Sequence, residues 1–340
     1  MRTHVHRLGM RDPSDVSGLA ALIRDGRVDP ARIVAVLGKT EGNGLVNDYT
    51  RGYLTQSLKL LLGRHGERPL YIFSGGTEGV LSPHYVVFSV SEENEKPSEG
   101  VKALAIGCSL TREMKPGEIG TRAQIDLVRK AVLQAMRAAR LDTADVQFVQ
   151  VKGPLDPAAT DPNKSMALSR VAGAIGVALA LDEIKNFTES DFFSDLSLFS
   201  SRASCSSGIE VKVNEVMVLG NSAAWSGPLA IASRPMRDAL DLDAVLGVLE
   251  DLNIPRTPKG LSRVRAAMAK GEPDARGRVR GHRHTMLTDG DLNAQRHIRG
   301  ALGGLVGGVL GDGRVFVSGG AEHQGPPGGG LVAVIAEIGV

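Results

Sequence analysis

One phrase that returns along the chain constrains its folding more than composition does. Tyr71-Ile72-Phe73-Ser74-Gly75-Gly76-Thr77-Glu78 and Val315-Phe316-Val317-Ser318-Gly319-Gly320-Ala321-Glu322 each run from a short apolar stretch into Ser-Gly-Gly, a small residue and a glutamate. Each is followed by a second Val/Ile-rich run, over 86–90 and 331–335. A more diverged third copy is read between them over 216–227, with Ser222 and Ala223 in the Ser-Gly positions and 229–232 as the run that follows. Ser226-Gly227 is a rival for that position, but Ser222 lies nearer the end of the apolar run. Repetition of this kind implies homologous units that bury a core by packing together.

Apolar residues spaced near 3.6 predict an amphipathic helix before each copy, over 48–65, 163–181 and 292–310. Apolar strands over 33–38 and 146–151 lead into Lys39 and Lys152. The matching third lysine is Lys270, whose local pattern predicts a helix rather than a strand. The order is therefore strand, lysine, helix, strand, serine, three times over. The expected fold class is α/β, in three units spanning 1–99, 100–236 and 237–340. Polar joints are expected over 92–100 and 233–242, and the Ser/Phe-rich stretch 188–207 is expected to be a surface loop. Three copies suit an open solenoid or a closed ring about a pseudo-threefold axis.

Composition removes several function classes. Lys and Arg number 40 against 38 Asp and Glu, so no basic field argues for nucleic acid. Aromatics make up 4%, too few for base-stacking platforms. No apolar run approaches the roughly twenty residues of a membrane span. The N-terminal residues carry no signal-peptide pattern, and Cys108 and Cys205 lie far apart. A reducing, cytoplasmic setting is expected. His282 and His284 alternate as ligands do, but lack the clear third partner a catalytic zinc requires.

The phrases 73–84 (FSGGTEGVLSPH), 281–287 (GHRHTML) and 318–330 (SGGAEHQGPPGGG) resemble the ring-opening amidohydrolase family, which holds cyanuric acid amidohydrolases and barbiturases. The resemblance covers nearly the whole chain. It implies a pseudo-threefold fold with a central active site, to which each unit gives a lysine, an arginine and a serine. By position these are Lys39, Arg51 and Ser74, then Lys152, Arg170 and Ser222, then Lys270, Arg299 and Ser318. Gly75, Ala223 and Gly319 follow the three serines. The resemblance points to Lys152 and Ser222 as the reacting pair; spacing alone chooses none of the three. It also implies a structural magnesium or calcium ion held by Glu272 with Ala321, Gln324, Pro326 and Gly329, no cofactor for catalysis, and a homotetramer.

These residue types fit one chemistry. A serine hydroxyl needs a base near neutral pH, and a lysine can serve once burial or neighbouring cations leave it neutral. Cyanuric acid carries three equivalent carbonyls, so three copies of one constellation match its symmetry. Hydrolytic ring opening through an acyl-enzyme is expected, giving carboxybiuret, which decarboxylates to biuret. Barbituric acid as the substrate, or a protein that only binds a cyclic imide, are the other readings.

Overall fold

A computed structural model describes residues 1–92, 100–288 and 292–339. The first unit contains β1 (Arg2–Gly9), α1 (Ser17–Arg24), β2 (Ile33–Thr40), α2 (Thr50–Leu62), β3 (Leu70–Gly75) and β4 (His84–Ser91). The second contains β5 (Ala103–Leu110), α3 (Arg122–Ala139), β6 (Val146–Pro154), α4 (Pro162–Ala180), β7 (Ala203–Gly208) and β8 (Glu215–Ser222). The third has β9 (Leu229–Met236), α5 (Leu242–Asp251), α6 (Pro258–Leu261), β10 (Val264–Gly271), a small hairpin of β11 (Arg278–Val279) and β12 (His282–Arg283), α7 (Ala294–Leu310), β13 (Phe316–Gly319) and β14 (Gly330–Glu337).

The fold is mixed α/β, and its three four-stranded sheets share one order: β1-β4-β2-β3, β5-β8-β6-β7 and β9-β14-β10-β13. In each, the first two neighbouring pairs are antiparallel and the last pair is parallel. A parallel pair needs a long crossover, supplied by α2, α4 and α7. Even the irregularities repeat: β2, β6 and β10, third in their sheets, carry one each at Ile33/Ala35, Val146/Phe148 and Val264/Ala266.

Local chemistry fixes the crossover helices. Asp161 caps α4 by accepting from the Asn163 and Lys164 amides, with Pro162 opening the helix. Asn293 caps α7 through the Arg296 amide, and Gly311 ends it at φ +66°. The strands alternate between two cores, as a period of two requires. Ala35, Leu37, Leu70, Ile72, Val86 and Phe88 face a central core shared with Leu104, Val149 and Val218 of the second sheet and Met268, Phe316 and Leu331 of the third. Val36, Tyr71, Phe73, Tyr85 and Val87 turn outward onto α1 and α2.

Three sequence expectations are corrected. Lys270 lies on a strand, β10, because its pairing with β13 and β14 overrides the local helical pattern. The stretch 188–207 is not all loop, since β7 begins at Ala203 and is buried throughout. The joint at 236/237 would split the third sheet, because β9 pairs along its whole length with β14. Most of the joint expected over 92–100 lies outside the described residues.

Candidate active site

The three parallel pairs position the chemistry. Lys39 is in register with Ser74, Lys270 with Ser318, and Lys152 with Ser206. Ser222 is not the third serine. It ends β8, one strand away from the parallel pair, and its hydroxyl donates to the Arg140 carbonyl at 2.7 Å. Ala223 beyond it is exposed. The true third copy is Ser206-Ser207-Gly208-Ile209-Glu210, so Ser207 stands where Gly75 and Gly319 stand in the others. Sequence spacing held the signal: a glycine two residues and a glutamate four residues after each serine, at Ser74, Ser206 and Ser318.

The three lysines are fully buried, and each is satisfied differently. Lys39 Nζ donates to the Gly75 carbonyl at 2.8 Å and to Ser74 Oγ at 3.4 Å. Lys270 Nζ donates to Ser318 Oγ and the Gly319 carbonyl, both at 3.0 Å, and reaches the Cys205 carbonyl at 2.6 Å. Lys152 Nζ donates to the Phe73 carbonyl at 3.0 Å and the Ser207 carbonyl at 3.4 Å, and lies 2.8 Å from Glu210 Oε1. Ser206 Oγ is buried without a hydrogen-bond partner.

Burial pushes all three lysines below their usual range. For Lys39 the Arg299 charge adds to that push, and for Lys270 burial and Arg170 bring it down to about 7. Around Lys152, the Glu210 carboxylate works against burial.

A narrow pocket collects Ser74, Ser206 and Ser318 with Gly44, Phe73, Gly75, Ser207 and Gly319. Lys152, Arg51, Arg170 and Arg299 line it too, with Met166 and Gln295, which the sequence pattern had not marked. Lys39 and Lys270 reach it through the serines they bond. A larger hollow along β1 gathers arginines and histidines but holds neither a serine nor a lysine.

The arginines are buried and paired in a cycle. Arg299 of the third unit holds Glu78 of the first through two bonds of 2.9 and 2.6 Å. Arg170 of the second holds Glu322 of the third at 3.1 and 2.7 Å. Arg51 of the first lies 3.0 Å from Glu210 of the second. Burial alone would raise each of the three carboxyl groups, but the arginine, or for Glu210 Lys152 with Arg51, wins and holds it below its usual range. The second glycine of the phrase makes room for this: Gly76 and Gly320 adopt φ of +90° and +73°. A Cβ there would lie 2.7 Å from Arg299 Nη2 and 2.6 Å from Arg170 Nε.

Around Glu272 the donors are oxygens only. Its carboxylate accepts from the Ala321 amide at 3.2 Å, and burial pushes it up to about 8, with the Glu322 charge adding to the push. The Gly329 and Pro326 carbonyls turn toward the same loop, accepting from the Glu272 and Gly329 amides. The Gln324 side-chain oxygen is committed to the Cys205 amide, which leaves its backbone carbonyl. Among the described residues no cluster of three or more His, Cys, Asp or Glu side chains is placed to hold a metal, so any cation here would rest on Glu272 and backbone carbonyls.

A family profile described as "Amidohydrolase ring-opening protein" matches residues 4–337. A cyanuric acid amidohydrolase of Rhizobium johnstonii is 48% identical, covering 99% of this chain and 98% of its own. One from Pseudomonas sp. strain ADP is 45% identical over 98% of both chains. Among solved structures, a cyanuric acid hydrolase superposes with a TM-score of 0.94 at 44% identity, covering 99% of each chain. The cyanuric acid hydrolase from A. caulinodans superposes with a TM-score of 0.92, also at 44% identity, over 100% of this chain and 99% of its own.

Proposed function

The chain belongs to the ring-opening amidohydrolase family, and on that premise we propose that it hydrolyses cyanuric acid. It is a hydrolase acting on C–N bonds of cyclic amides. The observation that carries the substrate is the threefold copy number at one cavity: three serines, each in register with a lysine, and three arginines. Cyanuric acid offers three equivalent carbonyls to such a set. The cyclic Glu–Arg pairing supports three units closed about a pseudo-threefold axis, with the substrate on it.

Ser206 is the nucleophile and Lys152 its base. Lys39 and Lys270 already hold the oxygens of Ser74 and Ser318, which leaves those hydroxyl protons to donate to ring carbonyls. Ser206 Oγ has no partner, so its lone pairs are free to attack. The neutral Lys152 amine takes the Ser206 proton as Oγ bonds to a ring carbonyl carbon. Collapse of the tetrahedral intermediate breaks the ring C–N bond, and Lys152 returns the proton to the departing nitrogen. Water then cleaves the acyl-enzyme to carboxybiuret, which loses carbon dioxide to give biuret. The oxyanion is held by backbone N–H groups at the cavity wall and by the arginines, whose field is fixed before the reaction begins.

Purified protein assayed in parallel should consume cyanuric acid and leave barbituric acid, followed by loss of substrate absorbance. Consumption of barbituric acid alone would keep the mechanism and change the substrate, because a ring CH2 would then be preferred to N–H. Consumption of neither would overturn the assignment.

Glu272, with the carbonyls of Ala321, Gln324, Pro326 and Gly329, would hold a magnesium or calcium ion that fixes the C-terminal loop and takes no part in the reaction. Millimolar magnesium or calcium at pH 7.5 should raise Tm by several degrees, and Glu272→Gln should abolish the rise. An equal rise in both proteins would place the ion elsewhere.

A further inference from the structure

The antiparallel strand beside each lysine carries a different residue at the lysine's own level. Lys39 faces His84 on β4, Lys270 faces Leu331 on β14, and Lys152 faces Glu215 on β8. Registered residues of an antiparallel pair project from the same face of the sheet, within side-chain reach of each other. His84 is fully buried, bonds the Ser82 carbonyl through Nδ1, and burial pushes it down to about 4, so it is uncharged at neutral pH. Leu331 is apolar. Only the middle lysine has an ionisable acid at this position.

Glu215 is also built in rather than solvated. Its Oε2 is sealed from solvent and has no hydrogen-bond partner. Burial pushes its carboxyl up to about 8 against the opposing charge of Lys152. The groups that face it are Lys152 on β6, Glu210 in the turn before β8, Tyr71 on β3 through its backbone amide and phenol, Cys108 on β5 and Lys59 on α2. At the equivalent place the third unit carries the apolar Leu331.

We propose that Glu215 is the positioning residue of the middle pair, its carboxyl setting the charge of Lys152 and stabilising the ammonium formed when that lysine takes the Ser206 proton. This rests on the reading that Lys152 and Ser206 react. No bond to Glu215 forms or breaks; it acts through the electrostatic coupling of its carboxyl to Lys152 on the neighbouring strand, the ionised fraction growing as pH rises toward about 8. The asymmetry it creates explains why one of three similar pairs would be the reacting one.

The test is the pH profile of Glu215→Gln on cyanuric acid. A carboxylate favours the ammonium, so removing it lowers the lysine pKa and keeps the amine neutral to lower pH. Lysine and glutamate titrate as a pair, so the acid limb of kcat/KM is read as a property of the pair. That limb should move about one unit toward acid. With the ammonium no longer stabilised in the transition state, kcat at the optimum should fall about 10- to 100-fold. KM should change little, because Glu215 does not line the cavity. If the glutamine variant fails to fold, Glu215→Leu, which copies the third unit, gives the same readout. A folded variant with an unmoved limb and kcat within about twofold of the parent overturns the proposal. Ser206→Ala run beside it separates the two failures. An inactive Ser206→Ala with a normal Glu215→Gln removes only the role of Glu215, whereas an active Ser206→Ala removes the reading beneath it.

Discussion

Ser206→Ala is expected to lower kcat on cyanuric acid by at least about 10⁴-fold, while Ser222→Ala leaves it within about twofold. The contrast follows from register. Ser206 lies opposite Lys152 on the parallel pair and its hydroxyl opens on the cavity, whereas Ser222 spends its hydroxyl on the Arg140 carbonyl at the far end of β8. Losing that bond should cost Ser222→Ala about 1 kcal/mol of stability and no chemistry. Ser74→Ala and Ser318→Ala should fall between, by roughly 10²–10³-fold, as the loss of a donor to a ring carbonyl would give. Thermal melts and steady-state kinetics on the four proteins decide the matter. A Ser206→Ala enzyme that keeps turnover while Ser74→Ala or Ser318→Ala is dead would move the nucleophile to that unit.

Arg170→Ala is expected to destabilise the fold by about 3–5 kcal/mol, because it strands the Glu322 carboxylate inside the protein. Arg170 is 4% exposed and bonds both Glu322 oxygens, so no water can replace the guanidinium without rearrangement. The double variant Arg170→Ala/Glu322→Ala should lose clearly less than the sum of the two singles, since the second change removes the uncompensated charge. Glu322 is held below its unfolded value, so its share of stability is present at neutral pH and is lost as pH falls through the carboxylate range. Urea unfolding of the two singles and the double at pH 7 and pH 4 measures all of this. Additive losses at pH 7 would show that the pair is not a closed unit.

Much of the architecture was legible because it repeats. The helices before the motifs, the strands into Lys39 and Lys152, and Ser74 and Ser318 all stand where apolar period and repetition placed them. The arginines expected from family resemblance also line the cavity, and repetition had marked two of their glutamate partners, Glu78 and Glu322, without giving them a role, but not Glu210. The middle serine was misplaced for a physical reason. β7 reads Ala-Ser-Cys-Ser-Ser-Gly, small and polar, because it packs beneath α4 where there is little space, so it shows no apolar run. β8 carries an apolar run over 216–219 and ends in a serine, which imitates the first and third copies. The glutamate four residues on was the more faithful marker, because it answers to an ion pair and not to hydrophobicity. Lys270 was misread for a related reason, since the alanines around it favour a helix until two neighbouring strands bind them.

The cyclic pairing of arginines and glutamates also orders the life of the chain before it is complete. Arg51 emerges from the ribosome long before Glu210, Arg170 before Glu322, and Glu78 waits for Arg299, more than two hundred residues downstream. Until Arg299 and Glu322 are made, the growing polypeptide carries half-pairs that cannot be buried without cost. The cavity, whose lining comes from all three units, is therefore complete only once Ser318 and Gly319 are in place.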